Sequence, residues 1–590
     1  MWGQHPFISL VALTWLSLPL AWSAPPLAPD AAGFGPYTAR HAEYRLPPAL
    51  DPQVLPNRIT EIWGEFYWPK QAPPAPLPLV VFLHGNHPTC GIWQGTAYRQ
   101  PGSCQYASTG TCGPGEVVIP SHRGFDYLAN QLASWGYFVV SVNSNRGINC
   151  MESPEDDEGL VQARARLVLK HLAYLSHWNR GDAPTPADFG IDLRGRIDFQ
   201  QVGLLGHSRG GEAMRAVPTL YRDPGSIWPG VIPDPLRVRA VFEIAGMDSR
   251  YTRLFNVDGL AWAQILPACD DDNALLLGVR PFDRAMNIHR ESSPQLKSLL
   301  YVWGANHNYF NTEWHVADGF GCFGHAPLFP IDQPSLNGSP AQRQIASSAV
   351  LALFRANLGA NADVRFNQLF DPRYAIPPAL SALTKIERAY LSTPDTRYHP
   401  VLENFQGPPG FNLYGPAHVH ENVTVSYGRV PQYWSELEAG IIGWETPGEN
   451  VYFQTEWAEP GGGIDMRSGG YISFRISRAA VNAPSGEPLD IGIRLVDAGG
   501  HLSSERRIGD FAQVLDPVGG YGWPHPVLNT VMIPLEFFGS ISLKRVRGLR
   551  FIFNGTTAGT IHLDELRFHL APLAAKNPAA ALQITDERLR

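Results

Sequence analysis

The stretch Val202-Gly-Leu-Leu-Gly206-His-Ser208-Arg209-Gly210-Gly211 decides how the rest of the chain is read. Its first residues form a short apolar β run, and a helical pattern opens near Glu212. Between the two stands Gly206-x-Ser208-x-Gly210, a serine flanked by glycines at a predicted strand-to-helix turn. A turn that sharp forces the serine into a strained backbone conformation and lifts its hydroxyl off the sheet edge. Neighbouring chain then passes so close that the flanking positions need glycine. The start of the following helix aims backbone N–H donors at any negative charge that develops there.

Working outward, similar apolar runs recur at Leu77–Leu83, Gly136–Val142, Val238–Ile244, Ala261–Leu266 and Leu299–Trp303. Continuous rather than alternating apolarity suits strands covered on both faces. Between them, Val161, Ala165, Val168, Leu172 and Leu175 step by four and three, one face of a helix. The acidic run Glu155–Glu158 just before it reads as favourable charge at a helix N-terminus. Alternating strands and helices over residues 58–359 predict an α/β unit with a mostly parallel sheet and helices on both faces.

The text changes after Gly359. A connector spans 360–398. Beyond it, period-two runs at Tyr471–Ile476, Ile491–Val496, Gly548–Phe553 and Thr560–Phe568 predict an all-β sandwich over 399–572, with a charged tail at 573–590. At the other end, Phe7–Trp22 is apolar, too short to span a bilayer comfortably, and Ala21-Trp22-Ser23 has the small-x-small form of a cleavage site. Residues 1–23 are therefore expected to be a signal peptide, although no Lys or Arg precedes the apolar run, and 24–57 an N-terminal extension. No later run is long enough for an integral membrane span, so the expected location is secreted or periplasmic. The chain has 590 residues, 46 Lys+Arg against 54 Asp+Glu and a net charge of −8, which argues against a nucleic-acid partner. All six cysteines fall between Cys90 and Cys322. In an exported chain an even count favours disulfides, with at least one bridge among Cys90, Cys104 and Cys112.

A serine nucleophile needs a base and an orienting acid, here expected in the order Ser, acid, His, each just after a later strand. Ala261–Leu266 runs into Cys269-Asp270-Asp271-Asp272, and Leu299–Trp303 into Gly304-Ala-Asn-His307. Strand ends are where open sheets place their sites. That favours His307 over His289, His315 and His325. Asp270 and Asp272 both fit the acid, Asp271 less well, and Asp248 is the fallback. The oxyanion donors expected are the backbone amides of Arg209 and Asn86, the latter in His84-Gly85-Asn86-His87, where His84 reads as a turn residue. No metal and no organic cofactor is needed.

With these pieces in place, the region 58–359 resembles the α/β-hydrolase superfamily. Gly304-Ala-Asn-His307 resembles the histidine motif of bacterial cutinases and polyester hydrolases. Gly206–Gly211 is similar to elbows of that group and of chlorophyllase-like and platelet-activating-factor acetylhydrolase-like esterases. The larger pieces Arg123–Leu128, Cys269–Asp272 and Gly304–Trp314 resemble large secreted bacterial hydrolases. The resemblance implies Ser208 as nucleophile, His307 as base and an aspartate within 270–272 as acid. The Cys90–Cys112 insertion, the long 272–298 stretch and the C-terminal sandwich depart from cutinases. The sandwich itself loosely resembles jelly-roll carbohydrate-binding modules, with Trp434 and Trp457 as candidate sugar-stacking residues. The expected function is a secreted serine carboxylic ester hydrolase working through an acyl-enzyme. Its partner would be an ester substrate, polysaccharide esters and polyesters included. The alternatives are a peptidase or amidase, and a non-catalytic carbohydrate-binding surface protein.

Overall fold

The computed structural model describes residues 25–71, 76–95, 98–249, 253–287, 295–314, 318–319, 340–392, 399–430, 437–481, 486–517 and 524–570. The expected signal peptide, the tail, Trp434 and the histidines His289, His315 and His325 lie outside them.

Nine strands make the largest sheet. They are β1 (Ala39–Arg45), β2 (Trp63–Pro69), β3 (Leu77–Leu83), β4 (Phe138–Val142), β5 (Ile197–His207), β6 (Val238–Ile244), β7 (Ala261–Pro267), β8 (Lys297–Val302) and β9 (Ile386–Leu391). Their order is β1-β2-β4-β3-β5-β6-β7-β8-β9. From β4 to β8 all neighbours run parallel. At one edge β1 and β2 are antiparallel to their neighbours, and at the other β9 is antiparallel to β8.

Side chains alternate between two cores. Leu79, Val81 and Leu83 of β3 pack on one face with α2 (Val161–Arg180) and α3 (Arg209–Arg222). Val80 and Phe82 pack on the other with α1 (Asp126–Ser134) and α4 (Pro340–Asn357). This is the pleat of a strand buried on both sides. The acidic run before α2 behaves as its position suggested: Asp157 accepts the N–H groups of Gln162 and Ala163 at 2.7 and 2.8 Å.

Beyond residue 399, one six-stranded and one five-stranded antiparallel sheet enclose a common apolar core that includes Phe474, Phe551, Leu563 and Phe568. This part is not a free appendage. The Tyr390 N–H of β9 donates to Thr530 Oγ1 at 3.0 Å, Arg475 pairs with Asp283 at 2.9 Å, and Arg567 donates to the Met286 carbonyl at 2.8 Å.

The expected class, an α/β-hydrolase unit with a mostly parallel sheet followed by a jelly-roll sandwich, is corrected. Of the described residues 31% are in strands and 23% in helices, the nine-stranded sheet is mixed, and the other strands are spread over several smaller antiparallel sheets. The molecule is a mixed α and β architecture. The reason is physical. An apolar run reports burial on two faces but not strand direction. The strands that run against the parallel set are β2, whose Trp63-Gly-Glu-Phe-Tyr-Trp-Pro69 is buried throughout but interrupted by Gly64 and Glu65, and β9, from a stretch outside 58–359 with a broken burial pattern. A further three-stranded antiparallel sheet (Cys90–Trp93, Tyr98–Ser103, Val117–Val118) forms inside the cysteine-rich insertion.

Two bridges staple that insertion. Cys90–Cys112 closes it on itself, and Cys104–Cys150 ties it to the loop after β4. Cys269 is also disulfide-bonded. Among the described residues no helix is long and apolar enough to cross a membrane.

Candidate active site at the end of strand β5

Strand β5 ends at His207 and α3 begins at Arg209, leaving Ser208 alone at the turn with φ 56° and ψ −128°. That backbone region is costly for any residue with a Cβ, of the order of 1–3 kcal/mol. It is held by the Ser208 N–H donating to the Ile244 carbonyl and by the Gly211 N–H donating to the Ser208 carbonyl, both at 2.9 Å. The glycines are required by contact. A Cβ on Gly206 would lie 2.2 Å from the Gly210 carbonyl oxygen, and one on Gly210 would lie 2.6 Å from the carbonyls of Leu83 and His84. The loop after β3 reaches the serine directly, since a Cβ on Gly85 would sit 2.9 Å from Ser208 Cβ.

The ends of β7 and β8 bring Asp270 and His307 together. The Cys269 N–H donates to the Ala305 carbonyl at 2.9 Å, joining the two loops. His307 Nδ1 then donates to Asp270 Oδ2 at 2.8 Å, while Asp270 Oδ1 accepts the Asn273 N–H at 2.6 Å. Asp270 and His307 are both buried. Asp272, half exposed, lies on the other side of the ring, with Oδ2 3.4 Å from His307 Nε2. Burial opposes charge on this imidazole, but the carboxylates of Asp270, Asp272 and Asp318 outweigh it and push the pKa up to about 10.

Asp318 was not singled out in the sequence. It accepts the backbone N–H groups of His307 and Asn308 at 3.0 and 3.2 Å, and its burial raises its own pKa well above the carboxylate range. His207, read only as the spacer of the elbow, donates from Nε2 to the His307 carbonyl at 3.0 Å. Burial and the neighbouring His307 keep it neutral.

Arg209 follows Ser208 directly, and Asn86 follows Gly85, whose backbone approaches the serine. The Asn86 side chain is already engaged: its Oδ1 accepts the Cys150 N–H and Arg164 Nη2, each at 3.0 Å. Arg164, fully buried on α2, also donates to Ser144 Oγ at 2.9 Å and Asn149 Oδ1 at 2.6 Å. It therefore welds the Asn86 loop to the loop after β4, a role with no sequence signature. Burial, with Arg209 nearby, lowers its pKa to about 9. His84 donates from Nδ1 to the Gly85 carbonyl at 2.9 Å and accepts the Ser144 N–H at 3.0 Å, which is turn chemistry.

The fallback acid Asp248 is committed elsewhere. It binds Arg215 at 3.0 Å and Arg284 at 2.8 Å, and Arg215 also pairs with Glu243 at 2.6 Å, all beneath the elbow helix. Replacing Arg215 with Met should strand the buried Glu243 and leave Asp248 to Arg284 alone, at a cost of about 3–5 kcal/mol, read as a drop in the midpoint of urea unfolding. Adding Glu243→Gln should recover part of the loss. Equal midpoints for the native protein and Arg215→Met would remove this network from the account of stability. In the C-terminal part, Trp457 is buried and donates from Nε1 to the Val546 carbonyl at 2.9 Å, so it packs in the core rather than presenting a stacking face.

No protein-family model matches the chain, and a search of curated proteins finds no match to it.

Proposed function

We propose that the protein is a serine hydrolase acting on carboxylic esters. The observation that carries this reading is the conjunction of the strained Ser208 at a helix N-terminus with the buried, hydrogen-bonded pair His307–Asp270. Neither a fold nor a binding surface requires that combination.

Ser208 Oγ attacks the ester carbonyl carbon as His307 Nε2 takes its proton, and the C=O electron pair moves onto oxygen. The Asn86 and Arg209 backbone N–H groups receive that oxyanion. Asp270 holds the imidazolium through Nδ1. The tetrahedral species collapses, the C–O bond to the alcohol breaks, and His307 protonates the departing alkoxide. Water, deprotonated by His307, then releases the acid and restores Ser208. The disulfides suit an extracellular or periplasmic setting, and export to one is part of the proposal. The test is labelling of the native protein by a fluorophosphonate probe, with hydrolysis of p-nitrophenyl esters measured alongside. A native protein that does neither would sink the reading.

Asp272 makes the pH profile informative. His307 must be neutral to accept the serine proton, and its raised pKa keeps it charged at neutral pH. Activity should therefore climb on the alkaline side and fall as pH drops through that pKa. The ion pair works in the opposite sense on stability. It contributes fully below the ordinary histidine pKa and is lost as pH rises through about 10. Replacing Asp272 with Asn removes one of the carboxylates that raise His307. The activity limb should move to lower pH, with a gain at pH 7 approaching tenfold for each unit moved. A kcat/KM profile superimposable on the native one would show that Asp272 does not act on the base.

A further inference from the structure

We propose that the cavity beside the Cys104–Cys150 bridge is a binding site for a small carboxylate with an apolar body. The cavity is open to solvent and has a volume of about 430 Å³, within the range of ligand sites. None of its lining residues belongs to the Ser208–His307 site, so the proposal stands independently of the hydrolase reading.

Arg146 is the observation that points to an anion. It is more than nine-tenths buried, with a relative exposure of 9%, and lines the cavity. Its Nη1 donates to the carbonyls of Tyr106 and Ala107 at 3.0 and 3.1 Å, which fixes the guanidinium plane, while its buried Nε has no hydrogen-bond partner. Among the described residues no carboxylate pairs with it. Glu61, the acidic residue in the lining, is already taken: it forms an ion pair with Arg45 and accepts the Tyr106 hydroxyl at 2.6 Å. Arg45 and Glu61 cancel, so the net charge facing the cavity is the single cation of Arg146.

A buried cation held by neutral carbonyls is electrostatically incomplete, and an anion offering charge-assisted hydrogen bonds completes it. A Cβ on Gly110 would stand 3.4–3.6 Å from Cζ, Nε and Nη2, so glycine there keeps a side chain off the guanidinium face. One surplus positive charge matches a monoanion better than a phosphate dianion. Leu46-Pro47-Pro48, also in the lining, offers apolar surface to a ring or hydrocarbon body.

The test is calorimetric titration of the full-length protein with benzoate, benzamide and inorganic phosphate. Benzoate is expected to bind saturably, and benzamide and phosphate at least tenfold more weakly. Arg146→Gln should lose at least tenfold in benzoate affinity. That variant gives up two buried hydrogen bonds to the main chain, so Thr109→Trp, which loses only exposed hydroxyl contacts to Gln105 and Thr111, provides an arm that blocks the cavity rim and leaves Arg146 intact. It should lose benzoate binding while keeping its melting temperature. Ser208→Ala should bind benzoate as the native protein does. The proposal is overturned if benzoate does not bind the native protein, if it binds Thr109→Trp as well as native, or if Ser208→Ala weakens it, which would place benzoate at the serine.

Discussion

Replacing Ser208 with alanine is expected to abolish fluorophosphonate labelling and to cut ester hydrolysis by about 10⁴-fold or more, leaving only what the oxyanion donors and substrate binding supply. Ser208→Gly should lose activity to the same extent and yet be the more stable protein. At φ 56° and ψ −128° the backbone lies where glycine is at ease and a Cβ is not, so removing the Cβ should return part of about 1–3 kcal/mol. Alanine keeps the Cβ and gains nothing. The comparison therefore separates two properties of one residue: the hydroxyl, needed for chemistry, and the strain that presents it. Urea midpoints of the three proteins measure the second, and probe labelling the first. If the alanine variant still labels, the nucleophile is another residue.

Much of this arrangement was legible in the sequence because elbow geometry leaves a local mark. Gly206 and Gly210 are there because backbone carbonyls pass 2.2–2.6 Å from where a Cβ would be, and such a constraint acts on residues four apart in the chain. The ends of β7 and β8 were legible for a similar reason, since burial on two faces writes continuous apolar runs that stop where the loops begin. Direction is not written that way. β2 and β9, which run against the parallel strands, mix the sheet and overturn the expected class, and nothing in Trp63–Pro69 or Ile386–Leu391 announces a direction. Partners that bond to the main chain were equally silent. Asp318 holds His307 through two backbone N–H groups, His207 through a carbonyl, and Arg164 meets Asn86 across 78 residues of chain. Side-chain direction at a tight turn was the remaining ambiguity. Asp270 and Asp272 are two residues apart, and only the folded loop sends one to Nδ1 and the other towards Nε2.

That division of the two carboxylates predicts unequal losses. Asp270→Asn should lower kcat/KM by about 10³–10⁴-fold. Its carboxylate accepts the Nδ1 proton, which leaves the Nε2 lone pair free for the serine proton. An asparagine amide can offer N–H to Nδ1 instead, and the imidazole would then carry its proton on Nε2, where it cannot act as a base. Asp272 would deepen the fault, because its carboxylate is already 3.4 Å from Nε2 and would hold that proton in place. Removing Asp272 alone takes away a competitor for Nε2 and should leave the machinery intact. The double variant Asp270→Asn/Asp272→Asn should therefore recover some activity over Asp270→Asn, a non-additivity that independent residues would not give. The measurement is kcat/KM for a p-nitrophenyl ester across pH for the native protein and the three variants. A loss of 10³-fold in Asp272→Asn, with Asp270→Asn within tenfold of native, would exchange their roles and make the exposed carboxylate the orienting acid.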